Sequence, residues 1–410
     1  MKQRLLSIDV FRGLTVMLMT IVNNPGDWGS VYPPLLHAHW HGATPTDMVF
    51  PFFLFIVGVS TVLATPSHGW GLKVLIRGLR IIALGMFLNF FSKITFGGLD
   101  GYSLLAVRLT VTALVTVLLL TDYRKTWQLA SVVTVHIIML SLAYSGIEQF
   151  ANVRLPGVLQ RIGLVYMIVA AFYYRFGLKP LLVLGGVLLV GYSLAMQLIP
   201  VNGVVGNFEA DTNLAAAIDR LFLTNHMWIS TNTWDPEGLF STIPAVGTGI
   251  LGVLAGTLLT STAEAKMKFL YLIAGGVVAL VIGLLWNQVL PINKALWTSS
   301  FVCYAGGWAA LVLAICYGII EVFDLTFWTK PFMIFGLNPM LVFFYSGIIP
   351  RIWGFFPQGD TNIQDHFYTH TLVPAFADPR MASFSWAFIY LLAWFAVLYV
   401  FYRKRIVVKV

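Results

Sequence analysis

Polar and apolar positions in this chain fall into long blocks. Apolar runs of about twenty residues, enough at 1.5 Å each to cross a ~30 Å hydrocarbon core, are separated by polar turns. Twelve such runs stand out, at 7–23, 47–64, 72–91, 104–121, 127–144, 156–174, 180–199, 239–260, 268–289, 297–320, 331–350 and 384–402. They predict an all-α polytopic membrane bundle of about twelve transmembrane helices, one domain over residues 1–410. A first run this close to Met1 leaves no space for a cleaved leader. Three polar segments, 24–46, 200–238 and 351–383, fall on one side and are expected to cap a site there. The 200–238 segment sets Phe208, Phe222, Trp228 and Trp234 among its polar residues, which predicts an ordered cap. There is no visible internal repeat of the kind found in transporters built from two related halves.

Composition agrees: 58% of residues are hydrophobic and 10% charged, against roughly a quarter charged in soluble domains. Of the 25 Lys and Arg, 17 fall on the face that holds both termini, counting Lys2, Arg4 and Lys409, and 8 on the other. The excess predicts cytoplasmic termini and an outward His37 loop. It also accounts for the net charge of +8, and a nucleic acid would have no folded domain to bind. Cys303 and Cys316 share one apolar run and read as packing residues rather than a disulfide or metal site.

The candidate chemistry gathers at the run ends. His37, His39 and His41 alternate, which in an extended segment puts them on one face; a metal there would need a further ligand, and Asp47 is the nearest carboxylate. General-base catalysis by His37, with Asp47 fixing its tautomer, is the better reading. Asp47 also suits the start of a helix, where a carboxylate meets the positive end. Asn23 ends the first run, as a helix terminus or as an amide donor to an oxyanion. At the other face, Asp9 and Arg12 are i,i+3 neighbours that can pair. Alternatively Arg12 joins Lys73, Arg77 and Arg80 in a cluster fit for phosphates. Trp40, Trp234, Asp235 and Glu237 are candidates for an acceptor pocket, rings covering a pyranose and carboxylates taking hydroxyls or an ammonium, although interfacial Trp also anchors in lipid. Gln160 and Arg161 lie near the outer end of the sixth run. Arg161 is a functional candidate there, with pairing to Glu148 or Asp47 as the alternative.

Several motifs occur in one order: Ser-Ile-Asp-Val-Phe-Arg-Gly at 7–13, Val-Asn at 22–23, His-Ala-x-Trp-x-Gly-x-Thr at 37–44 and Asp-x-Val-Phe-Pro-Phe-Phe at 47–53. Further along stand Leu-Pro-Gly-Val-Leu-Gln-Arg at 155–161, Asp-Pro-Glu-Gly-Leu-Phe-Ser-Thr at 235–242, Pro-Ile-Asn-Lys-Ala-Leu-Trp at 291–297 and Gly-Leu-Asn-Pro at 336–339. With these the chain resembles the heparan-alpha-glucosaminide N-acetyltransferase family, which includes bacterial transmembrane glucosamine N-acetyltransferases. The resemblance implies an acetyl-CoA-dependent enzyme of the bilayer, without a metal, that acetylates glucosamine or the terminal glucosamine of a glycan on the outer side. It places the family's active-site histidine on His37, its asparagine on Asn23 and its carboxylate on Asp47. It suggests a bacterial inner-membrane protein with the His37 loop in the periplasm; a homodimer is allowed by the sequence and not read from it. Two departures stand out: the animal enzyme's luminal domain and first span have no counterpart among these residues, and 92–152, short in that enzyme, holds two extra runs here. The rival readings are an O-acyltransferase of an envelope glycan and a sugar or solute transporter.

Overall fold

In the computed structural model of the chain, residues 5–64 and 69–408 are described. Lys2, Arg4 and Lys409, counted in the charge asymmetry, lie outside the described residues. Every apolar run named above forms helix. In chain order the helices are α1 (Leu6–Val22), α2 (Val49–Leu63), α3 (Trp70–Phe91), α4 (Gly101–Leu120), α5 (Lys125–Ala143), α6 (Val158–Phe176), α7 (Leu178–Leu198) and α8 (Leu214–Leu223). They continue as α9 (Leu239–Thr260), α10 (Ala265–Trp286), α11 (Ser299–Tyr317), α12 (Lys330–Leu337), α13 (Pro339–Ile352), the short α14 (Ile363–Phe367) and α15 (Val373–Ala375), and α16 (Pro379–Arg403). Two two-residue strands, Pro357–Gln358 and Thr361–Asn362, pair antiparallel.

The protein is an all-α polytopic membrane protein. Among the described residues nine helices are long and apolar enough to cross a bilayer, and α12 with α13 makes a tenth if that bent pair is one span. The other two expected spans fall short for separate reasons: α1 has 17 residues, and Gln160, Arg161 and Arg175 dilute the apolar content of α6. The run at 331–350 is not one straight helix but turns by 77° between α12 and α13. Pro339 lacks an amide hydrogen and its ring pushes the preceding residue out of helical conformation, which is where Asn338 sits.

Helix α2 runs through the middle of the bundle, against α1, α6, α9 and α11. It meets α9 backbone to backbone: a Cβ on Gly58 would lie 2.0 Å from the Gly249 carbonyl oxygen, and one on Gly252 2.0 Å from that of Phe55. With little hydrophobic force between helices in lipid, such close approach of small residues supplies the packing that holds them together. The same device joins α1 to α12, where a Cβ on Gly336 would lie 2.1 Å from the Asp9 carbonyl oxygen.

The loop 24–46, which leads into the amino-terminal end of α2, touches both of the other long loops. The indole N–H of Trp40 donates to the Phe208 carbonyl at 2.9 Å, and its ring meets that of Trp234 edge-on at 5.0 Å. Gly42 N–H donates to the Ile292 carbonyl at 2.7 Å, and the Tyr32 hydroxyl to Asp378 at 3.0 Å. Within 200–238, α8 is capped by Asn213, whose side chain accepts from the amide of Ala216.

Candidate functional site

The chain enters α2 through a 3-10 turn at Pro45–Met48, and Asp47 sits inside it with only 1% of its side chain exposed. A buried carboxylate must have its lone pairs filled. Oδ2 accepts from the backbone amides of Ala38 at 3.0 Å and Thr44 at 2.9 Å and lies 3.1 Å from the Thr44 hydroxyl, while Oδ1 lies 2.6 Å from Nδ1 of His37. A carboxylate can only accept, so Nδ1 carries the hydrogen, and in the neutral imidazole Nε2 keeps a lone pair. The His37 side chain is 54% exposed, so that lone pair belongs to a reachable ring. The helix-capping and tautomer-fixing roles of Asp47 coexist in one side chain.

His39 is exposed, and Nδ1 of His41 lies 3.4 Å from the Asn293 amide. Among the described residues no three His, Cys, Asp or Glu side chains come together as a metal site. Asn23 is exposed at the end of α1, which packs against the Pro45–Met48 turn; the neighbouring Asn24 is buried and donates back to the Thr20 carbonyl at 2.8 Å.

A charged cluster that sequence reasoning missed ties the 200–238 segment to Arg154 and Lys294. Arg154 forks onto Asp235, Nε to Oδ2 at 2.8 Å and Nη2 to Oδ1 at 2.5 Å, and also bonds Glu237, which Lys294 approaches at 3.9 Å. Asp235 and Glu237, expected to meet an acceptor, are buried and engaged by these cations instead. Only the apparent abundance of charge in 200–238 hinted at it, since the partners lie 81 and 83 residues apart. Burial works to raise the Glu237 carboxyl, and the field of Arg154, with Lys294 and Arg161 behind it, overrides this and holds it well below the usual range.

Arg161 is 1% exposed and pairs with neither Glu148 nor Asp47. It donates to the Gly238 carbonyl at 3.1 Å, to Thr242 at 3.3 Å and to Ser241, at the start of α9. Its guanidinium stands 5.0 Å from the ring centre of Trp297 and 5.9 Å from that of Phe50, one turn beyond Asp47. Nη1 has no hydrogen-bond partner among the described residues. Gln160 is buried and donates to the Leu155 and Pro156 carbonyls, fixing the turn into α6.

Asp219 of α8 accepts from the amide of Leu239 at 2.8 Å, and burial pushes its carboxyl up to about 6 from the ordinary 3.8. The folded chain therefore holds this proton more tightly than the unfolded one. Its contribution to stability is full below the ordinary value and is lost as pH rises through about 6. Asp219→Asn, which keeps an oxygen for Leu239, is expected to flatten the pH dependence of the thermal midpoint between about pH 4 and 6. An unchanged slope in detergent melts would refute this.

At the far end of α2 is a cavity of about 780 Å³ lined by Arg12, Arg77 and Arg405. Its wall follows α2 through Ser60, Val57 and Phe53 and α6 through Tyr166, Ile162 and Leu159. By helical rise it ends about 9 Å short of Asp47. Arg12 donates to Asp9 at 3.1 Å and Ser60 at 3.1 Å, so the expected pairing with Asp9 and a place on the cavity wall hold together. Arg77 stacks on Tyr166 at 5.0 Å. The cluster expected here is not complete: Arg80 is buried and bonds the Thr121 carbonyl, because α4 and α5 cover that side of α3, and Lys73 is exposed and does not line the cavity.

The model of the heparan-alpha-glucosaminide N-acetyltransferase catalytic domain matches residues 4–292. The chain belongs to this family. Among curated proteins it is similar to heparan-alpha-glucosaminide N-acetyltransferase of Homo sapiens, 28% identical over 355 residues that take in 73% of this chain and 46% of the relative. The Mus musculus protein of the same name is 27% identical over 351 residues, with the same coverage. The chain spans a little under half the length of these relatives. The family match takes in the His37–Asp47 pair, Arg154, Arg161 and most of the cavity wall on α1, α2, α3 and α6; α12, α13 and α16 lie beyond it.

Proposed function

We propose that the protein is a transmembrane N-acetyltransferase that moves acetyl from cytoplasmic acetyl-CoA to the amine of glucosamine, or of a terminal glucosamine on a glycan, at the opposite face. The observation that carries this reading is the course of α2: a buried carboxylate orients an exposed imidazole at one end, and an arginine-lined cavity occupies the other. The relatives' name supplies the reaction class. In this reading both termini are cytoplasmic and the His37 loop faces outward, into the periplasm of a bacterial inner membrane.

Guanidinium groups of Arg12 and Arg77 hold the nucleotide phosphates, and the pantetheine arm follows the cavity along α2 toward the imidazole. As the amine attacks the acetyl carbon, Nε2 of His37 takes one of its protons and a C–N bond forms. The tetrahedral oxyanion is stabilised by N–H donors, for which Asn23 and the unpartnered Nη1 of Arg161 are the candidates. Collapse breaks the C–S bond, and thiolate leaves as free CoA. Trp40 and Trp234 present ring surface to the sugar, while Asp235, Glu237 and Gln160 act by holding the loops.

The test is purified protein with acetyl-CoA and glucosamine, read by mass spectrometry. N-acetylglucosamine and CoA in equal amounts are expected. An ester product would point to O-acylation, and uptake of labelled glucosamine into proteoliposomes without acetyl-CoA to transport; either would overturn the reading.

A further inference from the structure

The last residues of the described chain lie outside the family match, and they form part of the cavity wall. Helix α16 closes with two overlapping bonds: the amide of Arg405 donates to the Tyr402 carbonyl at 3.1 Å and that of Ile406 to the Phe401 carbonyl at 2.9 Å. This closure places the residue between them in left-handed conformation, a position that favours glycine. Here it is Arg405, with φ +55°. A β-carbon makes that conformation unfavourable, so an arginine there carries a backbone penalty that glycine would not.

Beyond Arg405 the tail turns onto the break between α12 and α13. Asn338, 1% exposed, accepts from the amide of Val408 at 2.7 Å through Oδ1 and donates to the Ile406 carbonyl at 3.2 Å through Nδ2. One side-chain amide thus grips two backbone groups of the tail. The grip lays Arg405, Val407 and Val408 along the cavity, where Arg405 joins Arg12 of α1 and Arg77 of α3. Pro339 and Met340, at the start of α13, line the same space, so the positive end of that helix borders it.

We infer that the tail 404–408 is a strap completing the donor site, and that Arg405 binds a phosphate of the donor's nucleotide. The inference rests on reading the cavity as the acyl-CoA site. Phosphate could also come from a lipid headgroup, and the two sources separate experimentally.

Unacylated CoA and pantetheine, which lacks all phosphates, would be titrated into wild type, Arg405→Gly and Arg405→Lys in a detergent free of anionic lipid. Arg405→Gly relieves the backbone while deleting the guanidinium. It is expected to melt at or above the wild-type temperature yet bind CoA about 10-fold more weakly, with pantetheine unaffected and Arg405→Lys in between. Equal CoA affinity in wild type and Arg405→Gly would overturn the role of Arg405 and leave the functional reading standing. So would a variant whose only loss is stabilisation by phosphatidylglycerol in nanodiscs. Failure of the wild type to bind CoA would remove both.

Discussion

His37→Ala is expected to lower kcat by about 10²- to 10⁴-fold, the range typical of a positioned general base. The KM for acetyl-CoA should change little, because the cavity wall contains neither His37 nor Asp47. The companion Asp47→Asn gives a sharper reading. Its side-chain nitrogen can donate to Nδ1, which moves the imidazole hydrogen to Nε2 and removes the lone pair the reaction needs. Turnover should therefore fall nearly as far as in His37→Ala although the ring stays in place, and the double variant should lose little more than either alone. Steady-state kinetics with acetyl-CoA and glucosamine decide the matter: full turnover in His37→Ala would show that some other group takes the proton.

The second large effect concerns stability. Arg154 is the shared partner of two buried carboxylates, and its removal leaves both charges without the fork that compensates them. Arg154→Ala should cost about 3–5 kcal/mol, the usual consequence of stripping one side from a buried ion pair. Combining it with Asp235→Asn and Glu237→Gln removes the orphaned charges and should recover part of the loss. The damage should reach the His37 loop too, because Lys294, which faces Glu237, lies in the segment whose Ile292 carbonyl receives the amide of Gly42. Melting in detergent, with activity measured on the surviving folded fraction, separates the two consequences. A variant as stable as wild type would show that the cluster is solvated.

What could be read from the sequence was local. Apolar runs became helices because membrane helices satisfy their own backbone hydrogen bonds whatever surrounds them. The His37–Asp47 pair is separated by 10 residues across a single turn, so its two groups were already neighbours on the chain. The break at Asn338 carried a signal in Pro339, but the apolar run continued through it and masked the bend. Arg154 was counted only as one more cation on its face, because no periodicity links it to carboxylates some eighty residues away. Arg77 and Arg80 illustrate the same limit: one turn apart on α3, the first lies over a ring beside the cavity and the second under a neighbouring helix. Arg405 read simply as part of a basic terminus until Asn338 placed the tail.

Helix α2 has a further consequence under the proposed reading. Ser60, bonded to Arg12, and Asp47, bonded to His37, are fixed about 20 Å apart along one rigid rod, and the rod is locked to α9 at Gly58 and Gly252. It works as a ruler: a donor must be long enough for its charged head and its reactive carbon to reach both marks at once, so small acetyl compounds without a spacer arm are excluded by length.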